Sequence, residues 1–192
     1  MSTKLKIAAA VAAAVLLSAC SSPKHEPMPL VKFTPSMEVT EVWSKGLSSA
    51  EGFLVPAVYD DMVFAAGGKT LTRLNARTGE TEWSVSFNSP ITGGVGSDGY
   101  VTAVGLWDGN LEVVDAEGKV SWEKKLTTEL ASPPVVSHGL VIARTMDTRV
   151  SAFEASSGEL QWTYQRSQPA LTVRLPTRML AHDCLLYTSP SP

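Results

Sequence analysis

Cysteine is scarce in this chain, which has only two, at positions 20 and 184. Two cysteines cannot form a disulfide framework unless they pair with each other. Basic clusters are also missing, since Lys4 and Lys6 near the N-terminus are the only grouped cations that stand out. A nucleic-acid-binding surface needs a basic stripe, so nucleic acid is excluded as a partner. The three histidines are scattered, and only 18% of the residues are charged.

Long hydrophobic runs are lacking apart from residues 7–17, which are too few to span a bilayer because a spanning helix takes about 20 apolar residues. This run follows two lysines and ends in small residues before Cys20, which is the order of a secretory signal peptide. We therefore expect residues 1–19 to be cleaved off. An ordinary signal peptide that happens to contain a cysteine is the alternative to a lipid-modified one.

The sequence of residues 17–20, Leu-Ser-Ala-Cys, resembles the lipobox of bacterial lipoproteins. That resemblance implies that Cys20 becomes the first residue of the mature protein and carries the acyl chains. Ser21, where an aspartate could follow, is similar to lipoproteins that travel on to the outer membrane. Several acyl chains would hold the protein stably at a membrane. Residues 20–38 are then expected to form a lipidated cysteine and a flexible, proline-rich linker.

Four of the five tryptophans are evenly spaced along the chain, at positions 43, 83, 122 and 162. A period of about 40 residues indicates a repeat array. The last three tryptophans share a local pattern, in which an alanine shortly precedes a glycine and the tryptophan follows that glycine by four residues. The glycine and tryptophan pairs are Gly79 with Trp83, Gly118 with Trp122, and Gly158 with Trp162.

Within each repeat the apolar residues alternate in short runs between turn residues, which predicts strands and not helices. We expect four strands in each of residues 55–87, 92–126 and 134–165, and a further strand around Trp43. Tight turns are predicted at Asp60-Asp61, Asp98-Gly99, 108–110 and His138-Gly139, where residues tolerant of positive φ cluster. Four short antiparallel strands in every repeat describe one blade of a β-propeller, so the predicted fold class is all-β.

A propeller blade cannot bury both of its faces alone, so neighbouring blades must stack. Each repeated tryptophan follows the glycine turn on the fourth, outer strand of its blade. We expect its ring to pack across the adjoining blade and its N–H to find a backbone acceptor there. These glycines and tryptophans are therefore predicted to be structural docking residues.

The repeated alanine–glycine–tryptophan pattern resembles the PQQ-type, or tryptophan-docking, propeller repeat. Together with the lipobox, residues 39–174 resemble the N-terminal part of the BamB family, most closely at residues 91–95, 132–141 and 169–174. That family has eight blades, of which about three are present here. The resemblance implies a non-enzymatic scaffold lipoprotein of the β-barrel assembly machinery, the BAM complex, at the periplasmic face of the outer membrane. Its implied partner is the set of periplasmic repeats of the BamA subunit.

The resemblance also implies one partner-binding site. A loop with the pattern leucine, any residue, hydrophobic residue, arginine contributes to BamA contact in the family, and it matches Leu171, Val173 and Arg174. Apolar side chains beside an arginine are typical of interface anchors. The alternative for these residues is a plain inner strand of a fourth blade with one surface arginine.

Two other functions remain open. A PQQ-dependent dehydrogenase has the same repeat but should show adjacent cysteines, and the chain has no such pair. An unrelated propeller lipoprotein that holds sugars or other surface ligands is the second. Residues 93–96 lack the helix and lysine of a phosphate loop, and residues 108–110 lack the closing glutamate of a calcium loop. No catalytic, cofactor or metal site is therefore predicted.

The end of the chain breaks the pattern. Residues 184–192 resemble the translation of a sequencing adapter, and the repeat fades after Arg174. We expect residues 39–175 to be a partial propeller and residues 176–192 to be a non-native tail of a truncated gene product, outside the fold. A natural tail rich in proline and serine is the alternative. Cys184 would then have no function and would not form a metal cluster with its neighbours.

Overall fold

The computed structural model describes residues 28, 36–48, 54–165 and 178–188. The chain divides into two units, residues 1–40 and residues 41–192. The few described residues of the first unit contain no strand, and the described residues of the second form fourteen β-strands and no helix. A search of the described residues for a helix long and apolar enough to cross a membrane finds none.

Twelve of the strands form three sheets of four antiparallel strands, and in each sheet the strands lie side by side in chain order. Blade 1 consists of β1 (Ala57–Tyr59), β2 (Met62–Gly67), β3 (Thr70–Asn75) and β4 (Thr81–Ser86). Blade 2 consists of β5 (Ile91–Ser97), β6 (Thr102–Leu106), β7 (Asn110–Val114) and β8 (Val120–Lys125). Blade 3 consists of β9 (Val135–Ser137), β10 (Leu140–Arg144), β11 (Arg149–Glu154) and β12 (Leu160–Gln165). The prediction of four strands in each of three repeats is confirmed.

The first hairpin of each blade turns where the sequence predicts it. Asp60 has a φ of 48° and His138 a φ of 52°, and both stand between strands separated by two residues. Asp98 begins a longer turn, in which its Oδ1 accepts hydrogen bonds from the backbone N–H groups of Tyr100 and Val101. Asparagine, aspartate and histidine tolerate positive φ better than most residues, and aspartate can also satisfy turn donors.

The hydrophobic core lies between the sheets. Phe64 and Leu71 of blade 1 form one cluster with Val104 and Leu106 of blade 2. A second cluster joins blade 2 to blade 3 in the same way and includes Val113, Val141 and Phe153. Successive side chains of a strand point to opposite faces, so the middle blade contributes one face to each cluster. This two-sided burial explains why β6 and β7 are buried at almost every position.

A fourth sheet begins in the tail, contrary to the prediction that residues 176–192 lie outside the fold. β13 (Leu180–His182) and β14 (Leu185–Tyr187) form an antiparallel hairpin around Asp183, whose φ is 49°. Met179 is buried with Ile142, Val150 and Ala152 of blade 3, and Leu186 packs against the same cluster. Alternating apolar residues and a turn former favour a hairpin here, and blade 3 provides the apolar face that it covers. The non-native origin of the tail stays a prediction.

The strand expected around Trp43 is not formed, since the described residues 36–48 contain no strand. Strands are stabilised by hydrogen bonds to a neighbouring strand, and the ladders of the structure give this segment no partner. Val42 is 81% exposed, whereas the Trp43 side chain is half-buried. Trp43 is therefore held by its side chain and not by a sheet.

Leu130 lies in the loop between blades 2 and 3, and its side chain packs onto the middle of blade 2. It is 2% exposed, and its side chain lies so close to Gly93 and Gly105 that an added Cβ at either glycine would collide with it. Residues 93–96 thus give room for the neighbouring segment to approach, as expected for glycines on an inner strand.

We predict that Leu130→Ala lowers the free energy of unfolding by about 2–5 kcal/mol, because the cavity between two glycines cannot be refilled by their side chains. Leu160→Ala is the matched control, since Leu160 is 52% exposed, and it should cost at most about 0.5 kcal/mol. Urea unfolding followed by circular dichroism measures both. Equal losses in the two variants would contradict the role assigned to Leu130.

Candidate functional site

Three repeated tryptophans dock onto the blade that follows them. In each case the indole Nε1–H donates a hydrogen bond to the backbone oxygen of an alanine 33 residues further along. The bonds run from Trp43 to Ala76 at 2.9 Å, from Trp83 to Ala116 at 2.9 Å, and from Trp122 to Ala155 at 2.8 Å. The predicted docking role of Trp83 and Trp122 therefore has a geometric basis, and Trp43 makes the same contact without a strand.

The repeated glycines lie directly under these rings. A Cβ built on Gly79, Gly118 or Gly158 would stand 2.7–2.8 Å from the nearest ring carbon of Trp43, Trp83 or Trp122, respectively. The same glycines have φ between 71° and 80°, which side-chain-bearing residues rarely adopt. Two independent constraints, the close ring and the left-handed backbone, thus require glycine here.

A β-bulge recurs beside the tryptophan on the fourth strand of each blade. The register between the third and fourth strands shifts just after the tryptophan's cross-strand partner, which is Arg73 in blade 1, Val113 in blade 2 and Ala152 in blade 3. A bulge bends the strand locally and changes the direction of the side chains next to it. Its fixed position therefore gives the three tryptophans on outer strands the same orientation.

Trp162 lacks the environment of the other three. Trp162 is 39% exposed, whereas Trp43, Trp83 and Trp122 are half-buried. Tyr164, which follows it on the same face of β12, is 60% exposed. The described residues place no glycine turn against this face, so Trp162 has the docking pattern without a docking site there.

Arg73 strengthens the contact between blades 1 and 2, and sequence analysis missed it. Its Nη1–H donates to Ala116 O at 3.0 Å, the same oxygen that Trp83 uses. Its guanidinium carbon lies 5.9 Å from the centre of the Phe64 ring, and its Nε lies 2.6 Å from Glu82 Oε2. Valine and alanine occupy the equivalent positions in the other blades, so the repeat pattern held no signal for it.

The predicted partner residues Leu171, Val173 and Arg174 lie outside the described residues. The chain leaves blade 3 at Gln165, whose strand partner Arg149 adjoins the turn between β10 and β11. The equivalent turn of blade 2 carries Trp107, which is 61% exposed and whose backbone N–H bonds Pro90 O at 2.8 Å. Turns of this kind and the connections between blades therefore share one end of the sheets, and Trp107 is an exposed aromatic there.

Neither cysteine forms a site within the described part of the chain. Cys20 lies outside it, and Cys184 is a free, exposed residue in the turn between β13 and β14. Its neighbours His182 and Asp183 form a solvent-exposed contact of 3.6 Å. Across the described residues no group of three or more histidine, cysteine, aspartate or glutamate side chains is placed to hold a metal ion.

Four-stranded antiparallel blades joined by a tryptophan, a glycine turn and an alanine carbonyl define the class of this molecule, a partial β-propeller built from PQQ-like repeats. A family model described as outer membrane protein assembly factor BamB matches residues 39–90 and 67–190. The chain belongs to the BamB family.

Curated relatives carry the same description. The outer membrane protein assembly factor BamB of Burkholderia pseudomallei is 37% identical over 176 residues, which cover 89% of this chain and 46% of the relative. That of Bordetella pertussis is 32% identical over 179 residues, which cover 90% and 46%. The chain thus spans about half the length of these relatives.

Solved structures agree with the fold. The crystal structure of BamB from Moraxella catarrhalis matches with a TM-score of 0.59 and 27% identity, over 67% of this chain and 39% of that one. The quinohemoprotein alcohol dehydrogenase of Comamonas testosteroni matches with a TM-score of 0.50 and 22% identity, over 62% and 21%. The second likeness reflects the propeller fold alone.

We predict that Trp122→Phe lowers the free energy of unfolding by about 1–3 kcal/mol, because it leaves the Ala155 carbonyl without its donor. The matched control is Trp162→Phe, which changes the same chemistry at an exposed ring and should cost at most about 0.5 kcal/mol. Denaturant unfolding of both variants measures the difference. A loss at Trp162 as large as that at Trp122 would refute the docking account.

Proposed function

We propose that the full-length protein is a non-enzymatic scaffold of the β-barrel assembly machinery, which assists the assembly of outer-membrane β-barrel proteins. The observation that carries the proposal is membership of the BamB family over most of the chain. The described structure supports it, since the repeated residues join one blade to the next, while turns such as the one that carries Trp107 are exposed. A rigid array with variable loops suits protein binding.

The proposed partner is the set of periplasmic repeats of BamA, and the proposed contacts are Leu171, Val173 and Arg174. These residues connect Gln165 at the end of blade 3 to Arg178 before β13. An arginine beside two apolar side chains can anchor an interface by burying area and donating several hydrogen bonds. Trp107, exposed at the same end of the sheets as Gln165, offers further apolar area to a partner of this kind.

The proposed location is the periplasmic face of the outer membrane, with a lipid anchor on Cys20. Support comes from the order of residues 17–20, Leu-Ser-Ala-Cys, after a short apolar run. Acylation at this cysteine would tether the propeller through residues 21–38 and leave the blades in the aqueous compartment. A tethered scaffold meets membrane-bound partners at a raised effective concentration.

A role as a quinone-dependent dehydrogenase has less support. The likeness to such an enzyme is one of fold, at 22% identity. The chain has no pair of adjacent cysteines, a feature that the enzyme family would lead us to expect. The family model and the curated relatives both favour the assembly factor.

We predict that changing Leu171 and Arg174 to glutamate in the full-length protein lowers capture of the BamA periplasmic repeats at least about tenfold, because two anchors are replaced by negative charge. A pull-down with purified repeats measures the capture. Tyr100→Glu is the matched control, since Tyr100 is 74% exposed on a turn between the first two strands of blade 2, at the other end of the sheet. Unchanged capture by the double variant would refute the proposed contact.

We predict that labelled palmitate is incorporated into the protein in cells and that Cys20→Ala abolishes the incorporation, because the thiol is the acylated group. Cys184→Ala is the control, since it removes the other cysteine and should leave labelling intact. Label that persists in Cys20→Ala would rule out this lipid anchor and favour an ordinary signal peptide.

A further inference from the structure

One cross-strand pair in the middle blade differs in kind from its counterparts. In blade 1 the hydroxyl groups of Thr72 and Ser84 lie 3.0 Å apart across β3 and β4. In blade 3 the hydroxyl groups of Ser151 and Thr163 lie 3.2 Å apart across β11 and β12. In blade 2 the same position, directly after the docking tryptophan, holds two carboxyl groups.

These two carboxyl groups belong to Glu112 of β7 and Glu123 of β8, which are direct cross-strand partners. Like charges placed opposite each other in a sheet are destabilising. Two hydroxyl groups make a neutral hydrogen bond at any ordinary pH, but two carboxyl groups can hydrogen-bond only when a proton lies between them. Among the three equivalent cross-strand pairs, only the hydrogen bond of the blade 2 pair requires a shared proton.

Glu112 is buried as well as paired, with 8% of its surface exposed. Its cross-strand neighbour Val104 and its neighbour two residues on, Val114, both belong to the core cluster shared with blade 1. Strand alternation puts Glu112 and Glu123 on this blade 1 side of the sheet, and Trp122 on the opposite side. A carboxylate in such a setting loses much of its hydration.

The charges around Glu112 are mainly negative. The pKa of Glu112 is raised from the ordinary value of 4.5 to about 7, first by burial and then by the charge and hydrogen bond of Glu123 and the charge of Asp108. Lys125, the lysine of β8 on the same face as Glu123, is bonded through its ammonium group to the Asp108 carbonyl. Arg73, which blade 1 directs toward blade 2, is engaged by Glu82 and by Ala116 O.

We propose that Glu112 and Glu123 form a proton-dependent contact, which holds the outer strand of blade 2 when one proton is shared and loosens it when that proton is released to water. Glu123 directly follows Trp122 in β8, and Trp122 is the residue that docks blade 2 onto blade 3. Loosening β8 therefore weakens the contact between these two blades. The pair couples the stacking of the propeller to the pH of its surroundings.

The direction of the pH effect follows from the pKa of Glu112. Between pH 4.5 and about 7 the folded chain retains a proton that the unfolded chain has released. The contribution of the pair to stability therefore falls as the pH rises through this window, and its full penalty is present above it. An ordinary surface glutamate, with the same pKa in both states, has no such effect.

The test compares the thermal midpoint of the purified full chain at pH 5.5 and pH 8.0 with that of Glu112→Thr/Glu123→Ser, which installs the hydroxyl pair of blade 1. The wild-type midpoint should fall by about 5 °C more than that of the double variant between the two pH values. Glu117→Gln, an exposed glutamate of the same blade, is the control and should follow the wild type. Parallel pH dependence of the wild type and the double variant overturns the proposal.

A second variant keeps the test decisive if the double variant does not fold. Glu112→Gln preserves the size and the hydrogen bond of the side chain but cannot titrate. Amide hydrogen exchange in residues 120–125, corrected for the intrinsic pH dependence, should show several-fold more opening of β8 at pH 8.0 in the wild type than in this variant. Equal opening in both would overturn the proposal, because a merely structural glutamate would not change the pH dependence of β8.

Discussion

The structure depends on the contact between an indole ring and the glycine turn of the next blade. The sheets are separate hydrogen-bonded units, so only side chains and a few long-range bonds join them. Each docked tryptophan covers a turn glycine, which has no side chain, and donates to the carbonyl of an alanine just outside the third strand of the next blade. The contact thus joins the outer strand of one sheet to the next sheet, while apolar clusters fill the space between the two sheets.

The residues that join the blades are not the ones that can carry a function. The residues that repeat, the alanine, the glycine and the tryptophan, are occupied with joining the blades, and they provide no titratable or nucleophilic group. Features that can distinguish one blade from another must therefore lie where the repeats differ. Three such differences are Trp107 on an exposed turn, Arg73 beside a docking contact, and the Glu112–Glu123 pair. The other blades have valine or alanine in place of Arg73 and pairs of hydroxyl residues in place of the two glutamates.

Sequence analysis failed where the outcome depended on the presence of a neighbour. The segment around Trp43 has strand-like residues but no ladder partner, so its docking contact forms while a strand does not. The sequence pattern predicts a tail at residues 176–192, yet residues 180–187 pair as a hairpin, with Met179 buried and Leu186 packed against blade 3. A strand needs a partner and a face to cover, and neither can be read from the composition of the segment itself.

The sequence by itself determined that three repeats each form four antiparallel strands, and it located their turns, because alternation of side chains, positive φ and a regular tryptophan spacing can be read along the chain. Only the tertiary structure decided that Trp43, Trp83 and Trp122 each bond an alanine 33 residues further on, and why Gly79, Gly118 and Gly158 must lack a side chain. It also decided that Glu112 is buried opposite Glu123, since neither the burial of a residue nor its cross-strand partner can be known before the sheets are stacked.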